Sequence, residues 1–334
     1  MKGFLSRFGS FWKNRYRAII YIMTFAFVWL ALINKKPLDL SISGATQGAL
    51  DLVEKMPENH RRKIQEQEEL LAKLQKEESQ HSSAELTAQI DDAKAYLERL
   101  KINSNGVFLV CIDFDAGSDA ELGPMAYSSI RHAFSLGIKV LINNGYTVMA
   151  QPLSQMIVDS AALGGATMPR PYGFKEAGSD FVFFGFRPNA FQVYLQMGES
   201  VLSAYETDYS GKTLADMPIM KGIKDIRDID GIAAYSCNVG TPESWINVAQ
   251  TKFNIPLVVG MTAVSVSDYF PYLQSGQLCG LITGLRGAAE YEKAVGAPPV
   301  ANRRMWAQLY THAFAIGLII VGNIEYFIKG KRAA

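Results

Sequence analysis

Residues 106–119 read GVFLVCIDFDAGSD, and the fold turns on how that run is read. Val107 to Ile112 are apolar without a break, and Asp113, Asp115 and Asp119 crowd in behind them. A short continuous apolar run is the mark of a strand buried on both faces; a half-exposed strand would alternate. The same texture recurs in DFVFFGF (180–186), GIAAYS (231–236) and IPLVVG (255–260), each leading into a loop and then a helix-like segment. IKVLINNGYTVMA (138–150) fits two readings, a hairpin closed at Asn144-Gly145 or one strand followed by a loop. Together these predict an α/β domain over 102–302, with a Rossmann-like, mostly parallel sheet of about five strands and flanking helices.

Upstream the character changes. Residues 57–101 are rich in charge, and Leu86, Ile90, Ala93, Leu97 and Leu100 repeat in steps of four and three. That is a heptad seam. It predicts an α-helical, coiled-coil-like hairpin within 37–101, joined near 77–82, with Ser82 and Glu85 forming a capping box for the second helix. Neither stripe is wide enough to stand alone, so the helices must pack on each other or on another subunit.

Two apolar runs bracket all of this. Residues 18–33 carry no charge, and residues 305–328 carry only Glu325. A membrane span needs about 20 mostly apolar residues. The expected order is therefore a basic tail and first transmembrane helix (1–36), the hairpin, the α/β domain, and a second transmembrane helix with a basic tail (303–334). Lys2, Arg7, Lys13, Arg15, Arg17, Lys329, Lys331 and Arg332 flank the spans on the terminal side, against Lys35, Lys36, Arg303 and Arg304 on the inner side. The basic excess puts both termini in the cytoplasm and the central domain on the extracytoplasmic side; the opposite placement, with the domain cytoplasmic, is the alternative. The expected partners are the lipid bilayer and further copies of the chain. Lys plus Arg number 33 against 32 acids, which gives no electrostatic case for nucleic acid. Cys111, Cys237 and Cys279 sit in apolar segments without paired spacing and read as buried thiols.

Ligands of open α/β sheets gather beyond the carboxyl ends of the strands. Asp113 and Asp115, two apart in extended chain, share a face, and Asp119 can add a third oxygen ligand. A divalent cation is one reading of that loop, a turn and helix cap with Arg187 as counter-charge the other. No other cofactor is expected. Arg187 and Asn189 follow the DFVFFGF strand. Asn238, Gly240 and Thr241 lie in SCNVGTPESW (236–245), where Thr241 suits an N-cap and Pro242 the first helical turn. These five are the candidate ligand-binding residues. Ser236 and Cys237 are candidate nucleophiles, and His132 is the one histidine of the sheet domain available to them as base, a surface or packing role being its other reading.

Familiar signatures are missing. SGKT (210–213) lacks the first glycine of a phosphate loop, and no G-x-G-x-x-G follows a strand. No C-x-x-C or H-E-x-x-H supports zinc.

SGQLCGLITGLRGAAEYE (275–292) reads as part of a last helix, 271–294, with Gly276, Gly280, Gly284 and Ala288 in one flat strip. Such a strip lets another backbone approach closely, either its own sheet or a neighbouring subunit. Two functions from different classes follow. The favoured one is a membrane-anchored scaffold that self-assembles into a homo-oligomer through the hairpin and the glycine-rich helix. The alternative is a membrane-tethered enzyme or ligand sensor with its site at the carboxyl edge of the sheet.

Overall fold

The structure, a computed structural model, describes residues 20–27, 29–30, 33, 38–81, 83–163, 173 and 175–333. Leu40–Pro298 form one compact unit and the terminal segments form another.

The larger unit holds six strands, β1 (Val107–Asp113), β2 (Lys139–Asn144), β3 (Phe181–Phe186), β4 (Gly231–Ser236), β5 (Leu257–Met261) and β6 (Gly280–Thr283). They form one sheet in the order β3-β2-β1-β4-β5-β6, and every pairing is parallel. All seven residues of β1 are buried, as the unbroken apolar run requires. IKVLINNGYTVMA resolves as β2 followed by a loop. Two helices open the unit, α1 (Gly44–Gln80) and α2 (Ala84–Ile102). The crossovers include α3 (Asp119–Ser135), α4 (Gln151–Leu163), α5 (Ala190–Met197), α6 (Gly240–Trp245) and α7 (Gly284–Val295). Helix α3 packs with α4 and α7, whereas α5 packs with α6.

The sheet has one strand more than expected, and it comes from the glycine-rich segment. Residues 271–294 are not one helix: Gly280–Thr283 pair with β5 as an edge strand, and the helix begins only at Gly284. Gly276, Gly280, Gly284 and Ala288 therefore share no helix face. Gly276 (φ 79°) belongs to a turn, and Gly284 (φ 52°) makes the sharp passage from β6 into α7. Gly280 is where close approach occurs. A Cβ there would strike the backbone nitrogen of Ala49 and lie 2.7 Å from its Cα, and one on Gly48 would strike the Cys279 carbonyl oxygen.

That contact is the first of a series. Over its first four turns α1 lies across the amino ends of the strands. Met56 and Leu52 sit 2.8 and 3.2 Å from a Cβ built on Gly231, at the start of β4, and Met56 sits 3.2 Å from one on Gly106, just before β1. Its start is fastened by Glu290 of α7, a buried carboxylate that accepts from Ser43 N (2.9 Å), Ser43 Oγ (2.7 Å), Thr46 Oγ1 (2.9 Å) and Arg286 Nε (3.0 Å). Burial raises its pKa, and these four bonds outweigh burial and hold it below the usual range.

Past His60, α1 leaves the sheet and pairs with α2, which buries Ile90, Ala93, Leu97 and Leu100 of the heptad seam. The cap of α2 is Ser83, which accepts from Leu86 N at 3.2 Å; Ser82, expected in that role, lies outside the described residues. His60 fixes the branch point. It is 1% exposed, with Nδ1 2.9 Å from Asp230 Oδ2 and Nε2 3.0 Å from the Leu100 carbonyl. Asp230 also accepts from Val107 N at 2.9 Å and faces Lys63 Nζ at 3.4 Å. Two acceptors on two ring nitrogens favour the imidazolium. Burial lowers its pKa, but the Asp230 bond and charge and the Leu100 carbonyl turn the net shift upward.

The terminal unit contains α8 (Val300–Ala333), of which Val300–Asn323 is long and apolar enough to cross a membrane. Among the described residues it is the one such helix. Of the other expected span, 18–33, residues 20–27, 29–30 and 33 are described and are helical; its remainder and the basic tail 1–17 lie outside the described residues. Within this unit Phe27 packs on Phe314, ring centroids 5.1 Å apart, and Asn302 bonds both the amide (2.7 Å) and the carbonyl (2.9 Å) of Leu38.

Two outcomes are expected. Gly280→Ala places a methyl group against the α1 backbone, and overpacking costs roughly 1–3 kcal/mol. Urea unfolding should show that loss without a change in oligomeric state; lost assembly at unchanged stability would return the glycines to a subunit interface. For His60 the charged form is favoured on folding, so its contribution is complete below about pH 6.5 and fades as pH rises through the raised pKa. The stability difference between wild type and His60→Gln should shrink from pH 6 to pH 9; a constant or growing difference would show that His60 is docked neutral.

Candidate functional site

The strand order reverses between β1 and β4, one strand leading outward to β2 and the other to β5. At such a switch point the flanking loops part and leave a crevice beyond the carboxyl ends of the strands. The loops that meet there follow β1 (114–118), β2 (145–147), β4 (237–239) and β5 (262–265).

The acidic loop does not act as a unit. Asp113 is fully buried and accepts from Gly145 N, whereas Asp115 is half-buried and uses Oδ1 to close a turn on Gly117 N at 2.9 Å. Asp119 opens α3 and lies against Gly123. Among the described residues no three His, Cys, Asp or Glu side chains are grouped to hold a metal ion. Burial, only partly offset by the Gly145 amide, pushes the Asp113 carboxyl up to about 7. It is the group of this loop with perturbed chemistry.

Residues 236–241 form a self-capped turn. Ser236 Oγ donates to the Asn238 carbonyl at 2.9 Å, and Asn238 Oδ1 accepts from Thr241 N (3.1 Å) and Thr241 Oγ1 (3.2 Å). The capping side chain is thus Asn238 and not Thr241, which with Gly240 stands inside the first turn of α6. Tyr269 Oη ties the turn down through the Val239 carbonyl at 2.6 Å. Cys237 is half-buried, its N and Sγ 3.4 and 3.7 Å from the Asp113 carbonyl oxygen. Beside it stands Tyr146, whose phenol pKa is raised by the Cys237 thiol and, more weakly, by Asp115. The thiols are free, and of the three only Cys111 is fully buried; Cys279, expected inside, is exposed at the sheet edge.

His132 does not reach the nucleophile candidates. It lies near the far end of α3, buried, with Nδ1 3.0 Å from Tyr291 Oη of α7, and burial pushes its pKa down to about 4. Four helical turns separate it from the crevice, on the order of 20 Å. Arg187 and Asn189 follow β3, two strands from β1. The Arg187 guanidinium lies over the Tyr205 ring, 5.6 Å from its centroid, and Asn189 occupies the N-cap of α5 in the left-handed conformation without a side-chain cap bond.

The residues sequence reasoning passed over lie directly beneath Gly145. Cys111 and Asp113 point to the α5–α6 side of the sheet, because alternate strand residues share a face and Cys111 packs with Tyr194 and Trp245. The Tyr194 and Trp245 rings stack 3.7 Å apart, and a Cβ on Gly145 would strike Tyr194 Oη. Asn143 Nδ2 reaches Tyr205 Oη at 3.5 Å. Asp113 Oδ2 and Asn143 Oδ1 are buried without a hydrogen-bond partner among the described residues, and Tyr194 Oη and Trp245 Nε1, although close enough to act on each other, form no well-aligned bond. An unpaired buried polar atom costs roughly 1–3 kcal/mol, and native proteins keep few of them. Four on four adjoining elements mark this spot out. Two carboxamides, Asn143 and Asn144, ending an otherwise apolar strand were the available signal.

Comparison with protein-family models, with curated proteins and with solved structures finds no match. The chain is an α/β protein with an all-parallel six-stranded sheet, and its function rests on the site alone.

A pH test isolates Asp113. Its folded pKa is raised, so its neutral form is the one folding favours; that contribution is complete below about pH 4 and is lost as pH rises to about 7. Asp113→Asn keeps the acceptor for Gly145 and removes the charge. It should stabilise the protein by roughly 2 kcal/mol or more at pH 8 and leave it unchanged at pH 4. Equal effects at both values would place the Asp113 pKa in the ordinary range.

Proposed function

We infer that this chain is a membrane-tethered α/β protein that handles a small molecule, as an enzyme or a ligand sensor, in the β1–β4 crevice. The carrying observation is the set of unpaired buried polar atoms of Asp113, Asn143, Tyr194 and Trp245 beneath a topological switch point. The perturbed carboxyl of Asp113 supports it, since shifted pKa values concentrate at working sites. The scaffold reading had its best support in the glycine strip, and Gly280 turns instead onto the chain's own α1; self-assembly then rests on the charged hairpin alone.

The tether in this reading is a two-pass anchor. Residues 18–33 join Val300–Asn323 as the second span, the basic flanks hold both termini in the cytoplasm, and Leu40–Pro298 is extracytoplasmic. Protease digestion of the hairpin in intact cells checks the placement; cleavage only after lysis reverses it.

The functional reading is tested by thermal shift on the full chain in detergent against nucleotides, sugars, amino acids, alcohols and amines. At least one compound should raise the melting temperature of wild type and fail to raise that of Tyr194→Phe, a variant that loses one hydroxyl and keeps the ring stack. A panel that moves neither protein, or both equally, argues against a ligand at this crevice.

A further inference from the structure

The surroundings of the cluster also define the kind of molecule it suits, an inference that rests on the crevice being a ligand site. The four loops 114–118, 145–147, 237–239 and 262–265 contain no Lys, Arg or His. Asp113 and Asp115 stand at the end of β1, and Asp119 and Glu121 occupy the first turn of α3. In sheets of this topology that turn holds phosphate on free amides and glycines. Here carboxylates occupy it, and Glu121 Oε2 already takes the Ala263 amide at 2.9 Å. An anion meets like charge at this position.

The unpaired atoms add a second constraint, and each belongs to a residue with 0% exposure. Asn143 Oδ1 calls for a donor and the Trp245 indole for an acceptor, while the Tyr194 hydroxyl and Asp113 Oδ2, whose carboxyl titrates at about 7, serve as either. A third comes from the rim. Met149 after β2 is 81% exposed and Val264 after β5 is 88% exposed, with Val148 and Val239 also open to solvent.

We propose that the crevice takes a non-anionic amphipathic small molecule, its hydroxyl or amine end directed at Asp113 and Asn143 and its apolar body against the Met149–Val264 rim. The polar end reaches those groups by displacing the 145–147 turn, whose Gly145 amide covers Asp113. Phosphorylated and carboxylate compounds are excluded by the acids of β1 and α3.

The test uses the full chain in detergent and the indole N–H resonances of its 4 tryptophans, with Trp245 assigned through Trp245→Phe. The probes are 1,2-hexanediol, hexylamine, hexanoate and monohexyl phosphate. The diol or the amine should shift the Trp245 signal saturably, with hexanoate and hexyl phosphate at least about ten-fold weaker. Met149→Ser, an exposed position that cannot disturb the core, should weaken the diol or amine roughly ten-fold. Anions that match the diol and amine overturn the proposal, and so does movement of Trp306 alone, which reports mere partitioning into the micelle. ATP and NAD separate the two levels of inference. Saturable movement of Trp245 by a nucleotide but not by the diol or amine leaves the site standing and sinks the ligand class. Silence from all six probes sinks both.

Discussion

The structure depends on a helix laid across the ends of a sheet. Parallel strands begin at one edge, and that edge exposes unpaired backbone and apolar side chains unless something covers it. Helix α1 covers it here, at backbone distance from Gly280 at the start of β6 and with Met56 and Leu52 pressed on Gly106 and Gly231 at the starts of β1 and β4. A Cβ at any of them would meet α1 at or inside van der Waals contact. Glycine in a strand weakens it by entropy and lost packing, and it recurs where another backbone approaches closely. The approach allows Leu52, Val53 and Met56 to reach the sheet core, and Glu290 and His60 then fix the helix at its start and at the point where it leaves.

Covering the amino edge has a consequence for the carboxyl edge. Helix α7 runs back from the end of β6, so its last turn lies beside the start of α1, where Lys293 Nζ donates to the Leu40 carbonyl at 2.7 Å. The unit's chain therefore enters and leaves on the side of the amino edge, and the crevice opens on the opposite side. The loops beyond the strands are free to vary around whatever they bind.

Parts of this were legible in the sequence, for physical reasons. Strands buried on both faces leave an unbroken apolar run, so β1, β3, β4 and β5 stood out, and the heptad seam marked the α1–α2 pair. Strand β6 did not, because its four residues, GLIT, are shorter than one helical face and sit in a glycine spacing that imitates one. The glycines did signal close packing; the sequence left open which backbone came near, since Ala49 lies 231 positions away from Gly280. For the site, Asp113 and the 236–241 turn were visible as strand-end polar residues. Tyr194 and Trp245 were not, because an aromatic residue on a helix reads as core until its polar atom is found without a partner. His132 misled for a different reason. It was reached by elimination, as the one histidine of the sheet domain, and that says nothing about the four helical turns between it and the 236–241 turn.

The buried cluster sets stability against some other demand. A domain of this kind is stable by roughly 5–15 kcal/mol, and each unpaired polar atom costs roughly 1–3 kcal/mol. Replacing Asn143 by Leu would remove part of that cost in a layer otherwise built of Leu109, Leu141, Val182 and Phe184. A chain selected for packing alone has cheap routes away from this arrangement. The groups instead gather at the one point of the sheet where topology opens a crevice, under a turn whose glycine is forced by the Tyr194 hydroxyl. Groups that are costly in isolation, and placed where a ligand can complete them, are better accounted for by binding than by folding.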